Sequence, residues 1–381
     1  MPEHCIGARE ELKARACGSR GSKLAYAAQP KRPPTDPLAA APRCAAAPFA
    51  WPIRQESRYT ERVQLRPFGT TDLTVSQLCM GTMQFGWTAD ERSSFAVLDA
   101  FVDAGGNFLD TADMYSSWTP GNPGGVSEEI LGRWLKERGN RGRMVIATKV
   151  RAKMWDGPDG EGLSRSHILR AAEESLRRLQ IETIDHYQCH WPDEVTPIEE
   201  TLAAFKELID AGKVRYIGVS NYSPALLAEA LRTADEKHLP RFVSFQPHYN
   251  LMNRSEFEGA LADLCDSERL AVIPYSPLAG GFLTGKYQRG QPLPDSARAE
   301  RTKRHMTVRG FRVVDALDAV ARAHGVKPAA VAIAWLIHQP AVTAPIISAN
   351  TPDQLADLLP AAELRLSPEE LSSLNEASAD E

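Results

Sequence analysis

Asp110 and Tyr115 follow one short apolar run, Lys149 sits inside a second, and His190 closes a third. A carboxylate, a phenol, an amine and an imidazole are the groups that hold and move protons. Lys149 is the most informative of them. A lysine within Val145-Ile146-Ala147-Thr148-Lys149 is costly to bury without a counter-charge, and Asp110 in the preceding run is the obvious partner. Each residue alone has an ordinary explanation: a plugging ion pair for Asp110 and Lys149, a packing ring for Tyr115, a satisfied core histidine for His190. All four at the same end of adjacent strands are much harder to explain as packing. Other runs also end in polar residues: Ser220 and Asn221, Gln246, and Tyr275 and Ser276.

The elements that must position these residues alternate in type. Segments 62–67 and 73–77 read as a hairpin around Gly69-Thr70-Thr71-Asp72. Strand-like segments 77–81, 107–113, 144–150, 184–190, 214–220, 242–249, 271–276 and 343–348 follow. Helical segments near 91–104, 127–137, 166–179, 197–211, 224–233, 256–267, 309–324 and 352–359 separate and follow them. A further helix, 328–339, precedes the eighth strand. Strands joined by helical crossovers imply a parallel sheet. Eight such units over about 290 residues predict an α/β fold, a closed (β/α)8 TIM barrel with an N-terminal β-hairpin and extra helices near strands 7–8. In such a barrel function collects at the C-terminal ends of the strands, where the residues above fall.

Helix signals support the parse. Thr196-Pro197-Ile198-Glu199 predicts an N-cap threonine with Glu at N3, and Gly212 can end that helix in the left-handed conformation. Ser367-Pro368-Glu369-Glu370 repeats the signal, with Leu366 and Leu371 as a hydrophobic staple, and predicts a C-terminal helix after the barrel.

The 381 residues are 43% hydrophobic and 24% charged, which excludes a disordered, collagen-like or coiled-coil chain. No apolar run approaches the roughly 20 residues that span a bilayer. The net charge of −5 argues against a basic nucleic-acid binder. The charge is divided: residues 1–60 hold ten Lys and Arg against five Asp and Glu, the remainder 34 against 44. Segment 30–52 is rich in Ala and Pro. The expectation is a disordered leader, 1–60, ahead of the barrel, 61–381, the leader being a dispensable tail or the product of a start codon set too far upstream. Arg43 and the prolines argue against a secretory signal, and Glu10 and Glu11 against an organelle-targeting one. Six cysteines without a Cys-x-x-Cys pair fit a reducing, cytoplasmic setting.

Segments 107–115 (Asn-Phe-Leu-Asp-Thr-Ala-Asp-Met-Tyr), 147–149 (Ala-Thr-Lys) and 190–193 (His-Trp-Pro-Asp) resemble the signatures of the aldo-keto reductase family. Gly218-Val219-Ser220-Asn221 and Tyr275-Ser276-Pro277-Leu278 resemble its cofactor segments, and the resemblance runs from about residue 61 to the C-terminus. It implies an NAD(P)H-dependent oxidoreductase that reversibly reduces a small aldehyde or ketone, with Asp110, Tyr115, Lys149 and His190 as catalytic tetrad. Reduction builds negative charge on the carbonyl oxygen. Tyr115 would protonate it, and Lys149 would lower the phenol from its ordinary pKa of about 10. Asp110 would orient Lys149, and His190 would hydrogen-bond the carbonyl oxygen. For the dinucleotide, the resemblance implies Ser220, Asn221 and Gln246 on the carboxamide and Tyr275 stacked on the nicotinamide. Gly81, Thr82, Met83 and Asp110 would line the same pocket. Ser276, Pro277, Leu278 and Gly280, with Lys286, would wrap the pyrophosphate.

Ser348, Asn350 and Gln354 fall where a 2′-phosphate would sit, in a stretch, 347–354, without Lys or Arg. The helix start at Pro352, or Arg298 from the long loop, can contribute instead. NADP is the cofactor that the family resemblance implies, and NAD is the open alternative. Gly280-Gly281-Phe282-Leu283-Thr284-Gly285-Lys286 imitates a phosphate-binding loop, but Tyr287 replaces the Ser or Thr needed for magnesium. His186 and His190 lack the partners of a metal set, so no metal is expected. Trp87, Trp118, Trp155 and Trp191 can line an aromatic-friendly pocket or shield the barrel mouth. The expected partner is a small carbonyl substrate, with neither nucleic acid nor membrane; no residue pattern signals an oligomeric state. The fold also resembles channel-associated β-subunits, so the rival reading is a cofactor-binding regulatory or scaffold subunit with residual catalysis.

Overall fold

A short hairpin opens the described chain. In this computed structural model the described residues are 63–380, except 295 and 297; the expectations for residues 1–60 lie outside them. β1 (Leu65–Pro67) and β2 (Thr74–Ser76) pair antiparallel, with Pro67 opposite Thr74. Gly69 makes the turn at φ 56°, and an added Cβ there would lie 2.9 Å from the Val243 carbonyl oxygen. The hairpin is thus pressed against the barrel, where Phe68 is fully buried.

Eight strands then pair in parallel: β3 (Cys79–Gly81), β4 (Phe108–Asp110), β5 (Val145–Val150), β6 (Ile184–Cys189), β7 (Val214–Ser220), β8 (Phe242–Gln246), β9 (Ala271–Val272) and β10 (Ile346–Ile347). They run in sequence order, with β10 beside β3. The ring closes between β9 and β10 through backbone bonds, Thr343 N–H to Val272 O at 2.8 Å and Ile346 N–H to Pro274 O at 2.9 Å. The architecture is the expected (β/α)8 barrel. Several strands are shorter than the sequence suggests. Pro247, Pro274 and Pro345 flank β8, β9 and β10, and a residue without an N–H interrupts a ladder.

Around the ring lie α1 (Glu91–Asp103), α2 (Val126–Arg138), α3 (Arg165–Leu179), α4 (Ile198–Asp210), α5 (Pro224–Lys237) and α6 (Ala260–Ser267). After β9 come a short α7 (Ala299–Thr302), α8 (Val308–His324) and α9 (Pro328–Ile337), and after β10 come α10 (Pro352–Leu358) and α11 (Pro368–Ser378). Ser367 and Glu370 form the complete reciprocal cap of α11. The α4 cap differs from expectation. Thr196 donates its hydroxyl to Asp193 Oδ2 at 2.8 Å, and the helix starts one residue later, with Pro197 at the cap position. The Asp193 carboxylate, which also takes the Val195 and Leu163 N–H groups, outcompetes the helix for that threonine. α6 begins at Ala260 because Gly259, at φ 88°, breaks the helix expected from 256.

Two apolar cores result. The larger lies between strands and helices and includes every residue of α9 from Ala329 to Ile337. The smaller fills the barrel axis, with Phe68, Cys79, Phe108, Val145, Ala147, Ile273 and Ile346. Phe68 meets Phe108 and His186 edge-on at 5.4 and 5.1 Å between ring centres. Burying one such ring contributes about 1.5–3 kcal/mol. This plug leaves the opposite end of the axis for polar groups. Among the described residues no single helix is long and apolar enough to cross a membrane.

Candidate active site

Inward-facing positions of neighbouring strands place the polar groups in one layer above the plug. Asp110 ends β4, Lys149 is next to last in β5, and Gln188 is its Cα partner in β6. Lys149 is fully buried, and its Nζ makes three bonds: to Asp110 Oδ2 at 2.5 Å, to the Thr111 carbonyl at 2.9 Å and to Tyr115 Oη at 3.0 Å. Asp110 Oδ1 accepts from the Gln188 and Gln246 side-chain amides at 3.1 and 3.0 Å. The carboxylate is thereby held from both sides. Gln188 was not among the predicted site residues; its signal was a polar residue near the end of a strand, two positions before His190.

Burial alone would push the Lys149 ammonium down, but Asp110, then Tyr115, more than offset it and hold the group above its ordinary value. Tyr115 was expected to be lowered by Lys149. Instead burial raises the phenol, and the Lys149 cation offsets only part of the rise. At neutral pH the phenol keeps its proton. His190 is buried, and burial followed by repulsion from Lys149 puts it well below its ordinary value, so the imidazole is neutral. Its ring meets Tyr115 at 5.9 Å and stacks on Trp191 at 3.8 Å. The four predicted residues are thus assembled around one point.

The strand ends beyond them form a connected rim. Ser220 Oγ donates to the Gln246 carbonyl at 2.8 Å, Asn221 Nδ2 to the His190 carbonyl at 2.9 Å, and Tyr275 Oη to Asn221 Oδ1 at 2.9 Å. Gly81 packs where a Cβ would come within 2.6 Å of Ile346. Thr82 is tied to the scaffold through the Asp110 carbonyl and Ser127, whereas Met83 is half-buried. Ser348 Oγ reaches the Gly81 carbonyl at 3.3 Å, and Gln354 Oε1 accepts the Asn350 N–H at 2.8 Å. The α10 start is less open than expected, because the Thr351 hydroxyl already accepts the Gln354 N–H. Trp87, Trp118 and Trp191 line the mouth, but Trp155 packs on α3 against His167 and under Arg170.

Backbone strain marks the same end. Among the described residues, eight non-glycine residues have positive φ. Gln180 and His238 cap helices and Arg269 follows one, but Ser116, Arg151, Asn221, Ser276 and Ala279 all follow barrel strands at the mouth. Such residues cost of order 1–3 kcal/mol each and persist where the surroundings demand them. Ser276, Ala279, Gly280 and Gly281 bend the chain after β9 into a tight turn with φ of 56, 48, 70 and 99°. A turn of this kind directs successive N–H groups to one side, which suits a pyrophosphate. Lys286 is exposed beside it. The residues present therefore fit a dinucleotide. The segment that imitates a phosphate-binding loop is this 3-10 turn, not a strand-to-helix junction.

Cys79, Cys189 and Cys265 are buried free thiols raised by burial, the last two to about 12, so none is a nucleophile. Comparison with known proteins agrees with the geometry. The chain is 38% identical to "Uncharacterized oxidoreductase YrpG" of Bacillus subtilis, covering 81% of this chain and 94% of that one. It is 36% identical to "Protein tas" of Escherichia coli, covering 80% and 94%. It is 35% identical to "Probable voltage-gated potassium channel subunit beta" of Oryza sativa, covering 79% and 92%. The model of the Aldo/keto reductase family matches residues 77–379, and with a barrel of this topology and relatives of this extent the chain belongs to that family of oxidoreductases.

Proposed function

We propose that the chain reduces an aldehyde or ketone to an alcohol, with Tyr115 as the general acid. The observation that carries this is Lys149 Nζ, bonded at once to Asp110 and to the Tyr115 hydroxyl in a buried layer. When bound, a nicotinamide dinucleotide supplies the hydride. Ser220, Asn221, Gln246 and Tyr275 would hold its nicotinamide, and the 276–280 turn with Lys286 its pyrophosphate. Carbonyl reduction builds negative charge on the substrate oxygen. Tyr115 donates its proton there, and the adjacent Lys149 cation stabilises the phenolate that remains. Asp110, fixed by Gln188 and Gln246, keeps Lys149 charged and aimed. Neutral His190 donates a hydrogen bond to the same oxygen and orients the substrate.

NADPH is the family default. The lack of Lys and Arg across 347–354 keeps NADH as a working alternative, which a binding titration of both decides. The test of the whole reading is oxidation of NADPH and NADH with a reactive aromatic aldehyde. Turnover should appear with at least one, and Tyr115→Phe should abolish it while leaving dinucleotide affinity intact. No turnover with either defeats the reading. The channel-subunit name of one relative favours the second reading, a dinucleotide-binding regulatory subunit. Tight dinucleotide binding with negligible turnover across a broad carbonyl panel would select it.

A further inference from the structure

The loop that follows β8 carries His248 and Asn250, which the proposed chemistry does not use. It is laid against the end of β9. The Tyr275 N–H donates to the Pro247 carbonyl at 2.9 Å, and His248 and Tyr275 pair as a parallel bridge. Their rings stack, with centres 5.1 Å apart and planes 13° from parallel. The Tyr275 hydroxyl is tied to Asn221 Oδ1 at 2.9 Å, which fixes the outer end of the ring. With His248 on one face of Tyr275, a nicotinamide stacked on this ring must take the other.

Asn250 sets the state of that imidazole. It is fully buried. Its Oδ1 accepts the Met252 and Asn253 N–H groups at 2.8 and 3.1 Å, which settles the way the amide faces. Its Nδ2 then donates to the Ser276 carbonyl at 2.9 Å and lies 3.5 Å from His248 Nε2. An amide nitrogen only donates, so Nε2 accepts and the proton sits on Nδ1. Nδ1 lies 3.8 Å from the Glu256 carboxylate. A second proton, on Nε2, would set donor against donor at Asn250. Tyr275 at the end of β9, Glu256 ahead of α6, and Arg304 and His305 ahead of α8 face the ring. Burial lowers it from its ordinary value; Glu256 opposes that fall and Arg304 adds to it.

We propose that His248 is a positioning residue for the dinucleotide: neutral, it backs the Tyr275 ring for either redox form, and protonated, it selects against the oxidised nicotinamide, a cation, relative to the reduced one, which is uncharged. Like charges on the two faces of one ring repel, and an uncharged ring escapes that repulsion. By linkage, whatever factor protonation costs the oxidised form, the oxidised form costs protonation. This rests on the dinucleotide reading above and adds to it a dependence on the redox state of the ligand.

Tryptophan quenching gives the dissociation constants of NADP⁺ and NADPH, or of NAD⁺ and NADH where that pair binds tighter, in the full chain and in H248F and H248Q. The ratio of oxidised to reduced constants cancels the phosphates, whose titration both forms share. From about pH 8 down to about pH 5 this ratio should rise roughly three- to tenfold in the parent and stay flat in both variants. H248F, which keeps an uncharged stacked ring, should bind both forms more tightly than H248Q at about pH 8. A flat ratio in the parent overturns the proposal. A rise that persists in the variants overturns it too, and assigns the charge to another group such as His305. H248Q binding as tightly as H248F defeats the backing role. Where one variant does not fold, the other carries the pH comparison. A parent that binds no dinucleotide defeats the dinucleotide reading and the proposal with it, whereas binding with a flat ratio sinks the proposal alone.

Discussion

Asp110 illustrates how one side chain can set the charge of a neighbour. Its two oxygens are shared between Lys149 on one side and the Gln188 and Gln246 amides on the other. Replacing it by Asn leaves a fully buried ammonium with no counter-charge. That should cost about 3–5 kcal/mol in urea unfolding, beyond any loss of activity. An Asp110→Asn protein as stable as its parent would show that Lys149 is neutral or repositioned. The pH profile belongs to the same scale. With Tyr115 as the proposed general acid, reduction requires the protonated phenol, and activity is expected to fall as pH rises through the Tyr115 pKa. Burial raises that value, so kcat/KM for reduction should stay flat from neutral pH up to about 10. A falling limb near neutrality would contradict a raised phenol. The gathering of Asp110, Tyr115, Lys149 and His190 was legible because a lysine in an apolar run demands an explanation. The sign of the tyrosine shift was not, since it depends on how completely the ring is desolvated against one cation.

Elements were read correctly where a local rule had no competitor. Ser367 caps α11 as its sequence implies, its hydroxyl accepting the Glu370 N–H. Thr196 obeys the same pattern, yet its hydroxyl is taken by Asp193, three residues back. Ser367→Ala should therefore lower stability by about 1 kcal/mol, as the loss of an N-cap does. Thr196→Ala should act through the Asp193 loop, not through the α4 start. Amide hydrogen exchange separates the two: faster exchange in the first turn of α4 in Thr196→Ala would restore the capping role. The eight-fold alternation survived these local errors because each strand needs only a few apolar residues and a crossover helix. The boundaries slipped where Pro247, Pro274 and Pro345 interrupt the ladder and where Gly259 breaks a helix. The partners of Asp110 needed residues far apart in sequence, which a single chain read locally does not reveal.

At the scale of the molecule, buried neutral histidines contribute to the loss of stability in acid. Burial holds His186 at about 3 and His305 at about 4, and His190 also lies well below its ordinary value. The unfolded chain binds these protons first, near its value of about 6.5. Their contribution is therefore complete above that pH and is lost as pH falls toward the folded values. Each histidine can remove up to about 1.4 kcal/mol per pH unit in that window. Asp113 works in the opposite sense, because burial and then Glu128 raise it well above a free carboxylic acid. Its stabilising effect is present in acid and lost as pH rises. Unfolding midpoints should thus decline on acidification below about 6.5, and His186→Asn should shallow the decline. A midpoint unchanged down to about 4 would mean that the histidines are charged when folded.

The closure of the ring by β10 bears on how the chain is born. β10 pairs with β3 on one side and is joined to the β9 segment on the other. Until Ile347 leaves the ribosome, the first and seventh strands of the barrel remain open edges able to pair with a foreign strand. At roughly 5–20 residues per second, the stretch from Val272 to Ile346 holds the nascent sheet open for about 4–15 seconds. The same inserted segment that carries the long loop therefore also sets how long the half-made protein needs protection from its neighbours.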